Sequence, residues 1–142
     1  MKTFKLEVYT PQRRFFSGEI EAVTLTLADG EITIYADHSF MAAPVMSGFI
    51  KIKTQKEGWK NAFVAEGILE VKAHNTIVMA NAAEWPEEID IARAERSLAA
   101  AKDSLNAGTF KFETTTAESA ARRAQFRIKV KSASRGEPSQ LG

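Results

Sequence analysis

An α+β fold is expected: an N-terminal antiparallel β-sandwich or flattened barrel, followed by a C-terminal two-helix antiparallel hairpin. Three observations predict it. Apolar side chains recur at a period of two through roughly the first eighty residues, with Gly, Asp and Asn between the runs. After Trp85-Pro86 the period becomes helical, and Ala, Glu, Arg and Lys dominate. A chain of 142 residues with 44% apolar content supports one ordinary core or a small core with an appended element, so two unequal halves are permitted.

Phe4, Leu6 and Val8 alternate with polar neighbours in a first strand, which Thr10-Pro11 ends. Ile20 leads into Val23, Leu25 and Leu27, and Asp29-Gly30 predicts a hairpin because glycine accepts the positive φ that tight turns demand. Ile32 and Ile34 continue across that turn. Gly48, Ile50 and Ile52 give another strand, Glu57-Gly58 a turn, and Phe63 and Val64 its return. Gly67 opens Ile68-Leu69-Glu70-Val71, Asn75 breaks the run, and Thr76-Ile77-Val78-Met79 follows. Strands this short and regularly spaced stack in two layers whose inner faces bury alternate residues.

Ile91, Ala94, Leu98, Ala101 and Leu105 fall on one helical stripe. Pro86 suits an early helical position and Gly108 a terminating one, which predicts a helix from Pro86 or Glu88 to Asn106. Thr115 and Glu118 have capping-box spacing, so a second helix is expected to begin near Thr115. Its small face, Ala117, Ala120, Ala121 and Ala124 with Ile128, suits close packing on the alanines of the first helix. Alanine buries little area, and at about 25 cal/mol per Å² such a hairpin is expected to dock only weakly on the sandwich. Residues 132–142 are polar and contain Gly136 and Pro138, which predicts a disordered tail. The expected units are the sandwich 1–83, the hairpin 84–131 and the tail 132–142.

With 19 basic and 18 acidic residues the net charge is +1, which gives no basic footprint for nucleic acid. Cysteine is absent, so neither a disulfide framework nor a thiolate metal site is available. His38 and His74 are the only histidines, and neither belongs to an H-E-x-x-H motif. With no constellation of acid, base and nucleophile, an enzyme is not expected. Met1-Lys2-Thr3-Phe4-Lys5 lacks the apolar stretch of a signal peptide, and no run approaches the roughly 20 apolar residues of a membrane span. Any membrane association is expected to pass through a protein partner.

Several runs also stand in a telling order. Phe16-Ser17-Gly18 precedes Val23, and Asp29-Gly30-Glu31-Ile32-Thr33-Ile34 precedes His38. Gly67-Ile68-Leu69-Glu70-Val71 and Thr76-Ile77-Val78-Met79-Ala80 come next, and Ile89-Asp90-Ile91-Ala92-Arg93-Ala94 opens the first helix. From Lys2 to Val130 this set resembles the epsilon subunit of bacterial F-type ATP synthases. The first run is similar to the family's early strand pair, the second to its G-E-L-G-I segment, and the third to its G-G-[IF]-L-E-V run with Glu66 replacing the first glycine. The fourth resembles its V-T-V-L-A strand and the last its [IL]-D-x-x-R-A motif. The sequence departs at Ala36-Asp37-His38-Ser39-Phe40, where the family usually has Pro-Gly before the histidine.

The resemblance implies a non-catalytic rotor subunit, peripheral on the cytoplasmic face of the bacterial membrane, with no direct insertion and no nucleic-acid partner. Its sandwich would bind the gamma subunit and the membrane ring of c subunits, and its hairpin would reach the alpha and beta catalytic subunits when extended. Glu31 and His38 are thereby placed together at the sandwich end facing the ring and gamma; taken alone, Glu31 tops a strand and His38 is a loop residue. No cofactor is required, but ATP is implied as a regulatory ligand of Glu84, Asp90, Arg93, Arg123 and Arg127. Arg123 and Arg127, four apart, project from one helix face and could converge on phosphates. No Walker glycine loop is present, so phosphoryl transfer is not expected. Alternatively Asp90 and Arg93 form a surface ion pair, and Arg122, Arg123 and Arg127 a solvated face. Lys129 and Lys131 extend that basic face, which either meets acidic segments of beta or only solubilises the helix. A free-standing small-ligand or peptide-binding sandwich with a helical arm is the alternative from another class.

Overall fold

The computed structural model describes residues 2–107 and 111–136, with side chains over 2–107 and 116–136. The chain divides into two compact units, Met1–Trp85 and Pro86–Gly142. Among the described residues the first unit holds ten strands: β1 Phe4–Tyr9, β2 Arg14–Ile20, β3 Ala22–Leu27, β4 Gly30–Tyr35, β5 Met41–Val45, β6 Gly48–Thr54, β7 Gly58–Val64, β8 Gly67–Val71, β9 Asn75–Ala80 and β10 Ala83–Glu84. They form two five-stranded sheets, in the orders β2-β1-β9-β8-β5 and β10-β7-β6-β3-β4.

Period-two patterning puts Leu6, Val8, Val23, Leu25, Ile34, Ile50, Ile52, Leu69 and Val78 inward, all fully buried in one core cluster. Each such side chain stabilises by about 1.5–3 kcal/mol on burial, so this interior is the principal source of the unit's stability. The β3–β4 turn is tipped by Ala28 and Asp29, and the positive φ falls on Gly30, at 124°. That is where a residue without Cβ is needed.

Two features of the sheets were not in the sequence pattern. β1 pairs with β9 in parallel, Lys5 opposite Asn75 and Tyr9 opposite Met79, while the other pairings are antiparallel. β5, whose MAAPV sequence has little alternation, pairs with β8. A register shift between Val8 and Tyr9 releases Phe15 from the ladder. Phe15 then stacks on Trp85 with ring centroids 4.5 Å apart, and Arg13 donates from Nη2 to the Ala83 carbonyl at 3.2 Å. The bulge thus fastens the end of the unit to its second strand.

The second unit holds a 3₁₀ turn, Pro86–Glu88, then helices α1 Ile91–Asn106 and α2 Lys111–Ser134. Ala94, Leu98 and Ala101 are the buried residues of α1, while Ile91 and Leu105, also on the expected stripe, are half-buried. Leu98 and Ala101 pack with Ala121 and Ala124, flanked by Ala120 and Ile128, which is the alanine seam the sequence predicted.

The boundaries differ from expectation. Glu84 pairs with Phe63 as part of the sandwich rather than opening the hairpin, and the first helix is preceded by a 3₁₀ turn. α2 begins at Lys111, so Thr115 lies inside the helix and not at its N-cap. It runs on through Ser132–Ser134, so those three residues are helical rather than tail; Val130, just before them, and Ser132 are buried. The expected terminator Gly108 and the tail residues 137–142 lie outside the described residues.

Candidate functional site

On the β2-β1-β9-β8-β5 sheet, inward and outward residues separate cleanly. Leu69, Val71 and Val78 face in, so their neighbours Ile68 and Met79 face out, 49% and 46% exposed. Register aligns them: Pro44 lies opposite Ile68, Ile68 opposite Met79, and Met79 opposite Tyr9. At about 4.8 Å per strand this apolar row spans about 14 Å. Tyr9, Met79, Thr10, Pro11, Ala80 and Asn81 also line an open cavity of about 300 Å³ at its end. The sequence reading missed the row, although the signal was present: Ile68 and Met79 are apolar at the outward phase of strands whose inward phase is already filled.

Beside the row, the Tyr9 hydroxyl donates to Glu7 Oε2. That hydrogen bond holds the Glu7 carboxyl below its ordinary range, against the opposing effect of burial and with help from Lys5, Arg14 and Asn75; the same bond raises the Tyr9 phenol. At this end of the sandwich Ser47, 2% exposed, donates to Glu66 Oε2 at 2.5 Å and accepts from the Glu66 N–H at 3.0 Å, and the Met46 N–H bonds the Thr26 carbonyl at 2.9 Å. The β5–β6 and β7–β8 connections are thereby tied to each other, and the first of them to β3.

Glu31, exposed, follows the turn glycine and reaches Lys51 at 3.7 Å. His38 does not join it. Glu31 pairs with Thr26 at the start of β4, whereas His38 follows Tyr35 at its far end. There its Nδ1 lies 2.7 Å from the Ser39 carbonyl. The expected grouping of the two at one end is therefore corrected by strand direction. Near His38 a second cavity of about 340 Å³ is lined by residues including Lys2, Asp37 and His74.

In the hairpin unit, Asp90 is the N-cap of α1, its Oδ1 accepting from the Arg93 N–H at 3.1 Å. The two thus meet through the main chain, in capping geometry. Arg93 is exposed, and Arg123 and Arg127 are half-buried on α2, each already engaged by neighbours. The antiparallel seam puts Arg93 and Arg127 within about one turn of each other along the axis. Arg122 and Lys129 both lie over the Phe126 ring, at 4.7 and 4.9 Å, so part of the basic face is organised around an aromatic residue. Among the described residues no helix is long and apolar enough to cross a membrane, and no group of three or more His, Asp or Glu is placed to hold a metal ion.

A two-sheet sandwich with an apolar row on one outer face, followed in the chain by a hairpin with an alanine seam, defines the class: a β-sandwich protein with a helical appendage. The family model for the ATP synthase delta/epsilon chain β-sandwich domain matches residues 3–86, and that for the delta/epsilon chain long α-helix domain matches residues 87–132. The chain belongs to the ATP synthase delta/epsilon family, as an epsilon chain of the bacterial F-type and a non-catalytic subunit.

The ATP synthase epsilon chain of Caldanaerobacter subterraneus subsp. tengcongensis is 42% identical over 133 residues, covering 92% of this chain and 95% of that one. The epsilon chain of Ruminiclostridium cellulolyticum is 37% identical over 128 residues, covering 90% and 95%. Among solved structures, a chain of the Euglena gracilis mitochondrial ATP synthase OSCP/F1/c-ring assembly shares the fold, with TM-score 0.76 at 15% identity, covering 93% of this chain and 81% of that one.

Proposed function

We propose that this epsilon chain is a rotor component of the central stalk, peripheral on the cytoplasmic face of the membrane, and that its sandwich docks on the gamma subunit through the Tyr9–Met79–Ile68–Pro44 row. The exposed apolar row carries this reading, since a contiguous apolar strip on one sheet face favours a protein partner over water. Glu31, at the same end of the sandwich, reaches toward the ring of c subunits; His38, at the other end, makes a separate contact. Capture of gamma by the full-length chain tests the docking. Ile68→Asp is expected to weaken capture at least tenfold with the fold intact, and unchanged capture would remove the row from the interface.

The hairpin restrains ATP hydrolysis when α2 extends toward the alpha and beta subunits, and ATP bound at Glu84, Asp90, Arg93, Arg123 and Arg127 favours the retracted state. The axial proximity of Arg93 and Arg127 supports the pocket. Mass action would stabilise the bound state by about 2.7 kcal/mol at a hundredfold excess over Kd. Arg123→Ala is expected to weaken ATP binding in calorimetry; equal affinity for both proteins would take ATP out of the mechanism.

A further inference from the structure

The helices of the hairpin are unequal, 16 residues in α1 and 24 in α2, so α2 is longer by about 12 Å at 1.5 Å per residue. The packing of Leu98 and Ala101 on Ala121 and Ala124 sets the antiparallel register, which puts Lys131 about level with Ile91 and carries Ser132–Ser134 past it. The 3₁₀ turn Pro86–Glu88 fills that overhang and packs against α2. There the Pro86 carbonyl accepts from the Ile89 N–H at 3.2 Å and from Lys131 Nζ at 2.8 Å, in a half-buried setting. One end of the hairpin is closed by the chain itself, between Asn106 and Lys111. The other end is closed by this lysine.

We propose that Lys131 is a latch: its bond to the Pro86 carbonyl holds the open end of the hairpin shut and must be released before α2 leaves α1. The proposal rests on the reading that the hairpin opens, and assigns the residue that resists opening. Between the two ends, among the described residues, the buried cluster is Leu98, Ala101, Ala121 and Ala124 with Ala120 and Ile128 packed against it, which offer little area, so one charge-assisted hydrogen bond is a sizeable share of what keeps the helices together. Lys131 is a positioning residue in this account, distinct from the guanidinium groups assigned to nucleotide.

The full-length chain supplies the test. It has no cysteine, so Glu95→Cys and Ala133→Cys, both at exposed positions, place one spin-label pair across the latch. Dipolar distance distributions are expected to show a mainly closed parent. Lys131→Met should raise the open-to-closed ratio about tenfold, the effect of losing about 1.4 kcal/mol. Lys131→Arg, which keeps a cationic donor, should stay near the parent, and Lys102→Met, which removes the same charge from an exposed site on α1, should match it. Superimposable distributions for Lys131→Met and the parent would overturn the latch. So would a parent already mainly open, an equal shift in Lys102→Met, or an open population in Lys131→Arg as large as in Lys131→Met. Loss of helical circular dichroism in Lys131→Met counts against it too, because a latch changes helix spacing and not helix content. Hydrolysis by the reconstituted complex is read separately: opening without a change in hydrolysis keeps the latch and removes the inhibitory role.

Discussion

Glu7 and Tyr9 show how one bond sets a pH response. The Tyr9 hydrogen bond, with Lys5 and Arg14, depresses the folded-state pKa of Glu7 below its unfolded value. This contribution to stability is therefore present above the ordinary glutamate range, about 4.3, and is lost as pH falls through the lower folded value. The same bond raises the Tyr9 phenol, so its contribution is present below the unfolded phenol value and is lost as pH rises through the folded one. Tyr9→Phe should therefore be less stable than the parent at neutral pH, with the gap narrowing at both extremes in a series of urea titrations. Asp37 is a different case, a non-glycine residue holding φ 65°. The left-handed conformation costs a non-glycine residue about 1–2 kcal/mol, and the bridge to Lys2 at 2.7 Å joins two well-exposed side chains worth at most about 1 kcal/mol. Glycine has its own entropic cost, so Asp37→Gly is expected to raise stability by about 0.5 kcal/mol, seen as a higher urea midpoint at unchanged slope. At Gly67 the limit is space: an added Cβ would sit 2.0 Å from the Met79 carbonyl oxygen and 2.7 Å from Ala80 Cα. Backbone atoms cannot step aside cheaply, so Gly67→Ala should lose about 1–3 kcal/mol in the same titration.

Elements were legible where one periodicity governed them. The strands carrying Phe4, Leu6 and Val8, or Leu69 and Val71, have one face against the core, and alternation reports that directly. The alanine seam was equally readable, because Leu98 and Ala101 fall on the stripe that Ala121 and Ala124 meet. β5 was not, since Ala42, Ala43 and Pro44 place small or ring-closed residues on both faces, and the strand owes its form to pairing with β8. The parallel β1–β9 ladder is a tertiary fact that no local run encodes. Thr115 misled for another reason: capping spacing recurs inside helices, and helix continuity from Lys111 overrides it. Of the proposed site residues, the sequence placed Asp90 and Arg93 inside a helix expected from Pro86 or Glu88, whereas α1 begins at Ile91 with Asp90 as its cap, and strand direction separates Glu31 from His38. Asp90 also carries a prediction at this scale. Asp90→Ala should remove about 1 kcal/mol from α1, read as faster amide exchange in its first turn, while the sandwich amides keep their protection.

Across the whole molecule the two units are built to different standards. One has an interior of Leu, Ile, Val and Phe; the other, among the described residues, is seamed by a small cluster of Leu98 and three alanines with Ala120 and Ile128 packed against it. Both tryptophans, Trp59 and Trp85, lie in the first unit, and both long helices lie in the second. Urea should therefore abolish the helical far-ultraviolet signal at a lower concentration than the change in tryptophan fluorescence, and coincident midpoints would show one cooperative body. The parallel ladder between β1 and β9 has a further consequence, in the order of biosynthesis. Lys5 waits for Asn75, seventy positions later, and at ribosomal elongation rates that interval lasts about 4–14 s. Throughout it only β2, of the two strands that flank β1 in the finished sheet, has been made, and the edge that β9 will cover is bare to any other nascent strand. The helices, whose partners are close in sequence, can zip within microseconds of emerging. The amino terminus is thus translated first yet among the last segments to be enclosed, and crowded polysomes are where this subunit is most vulnerable to mispairing.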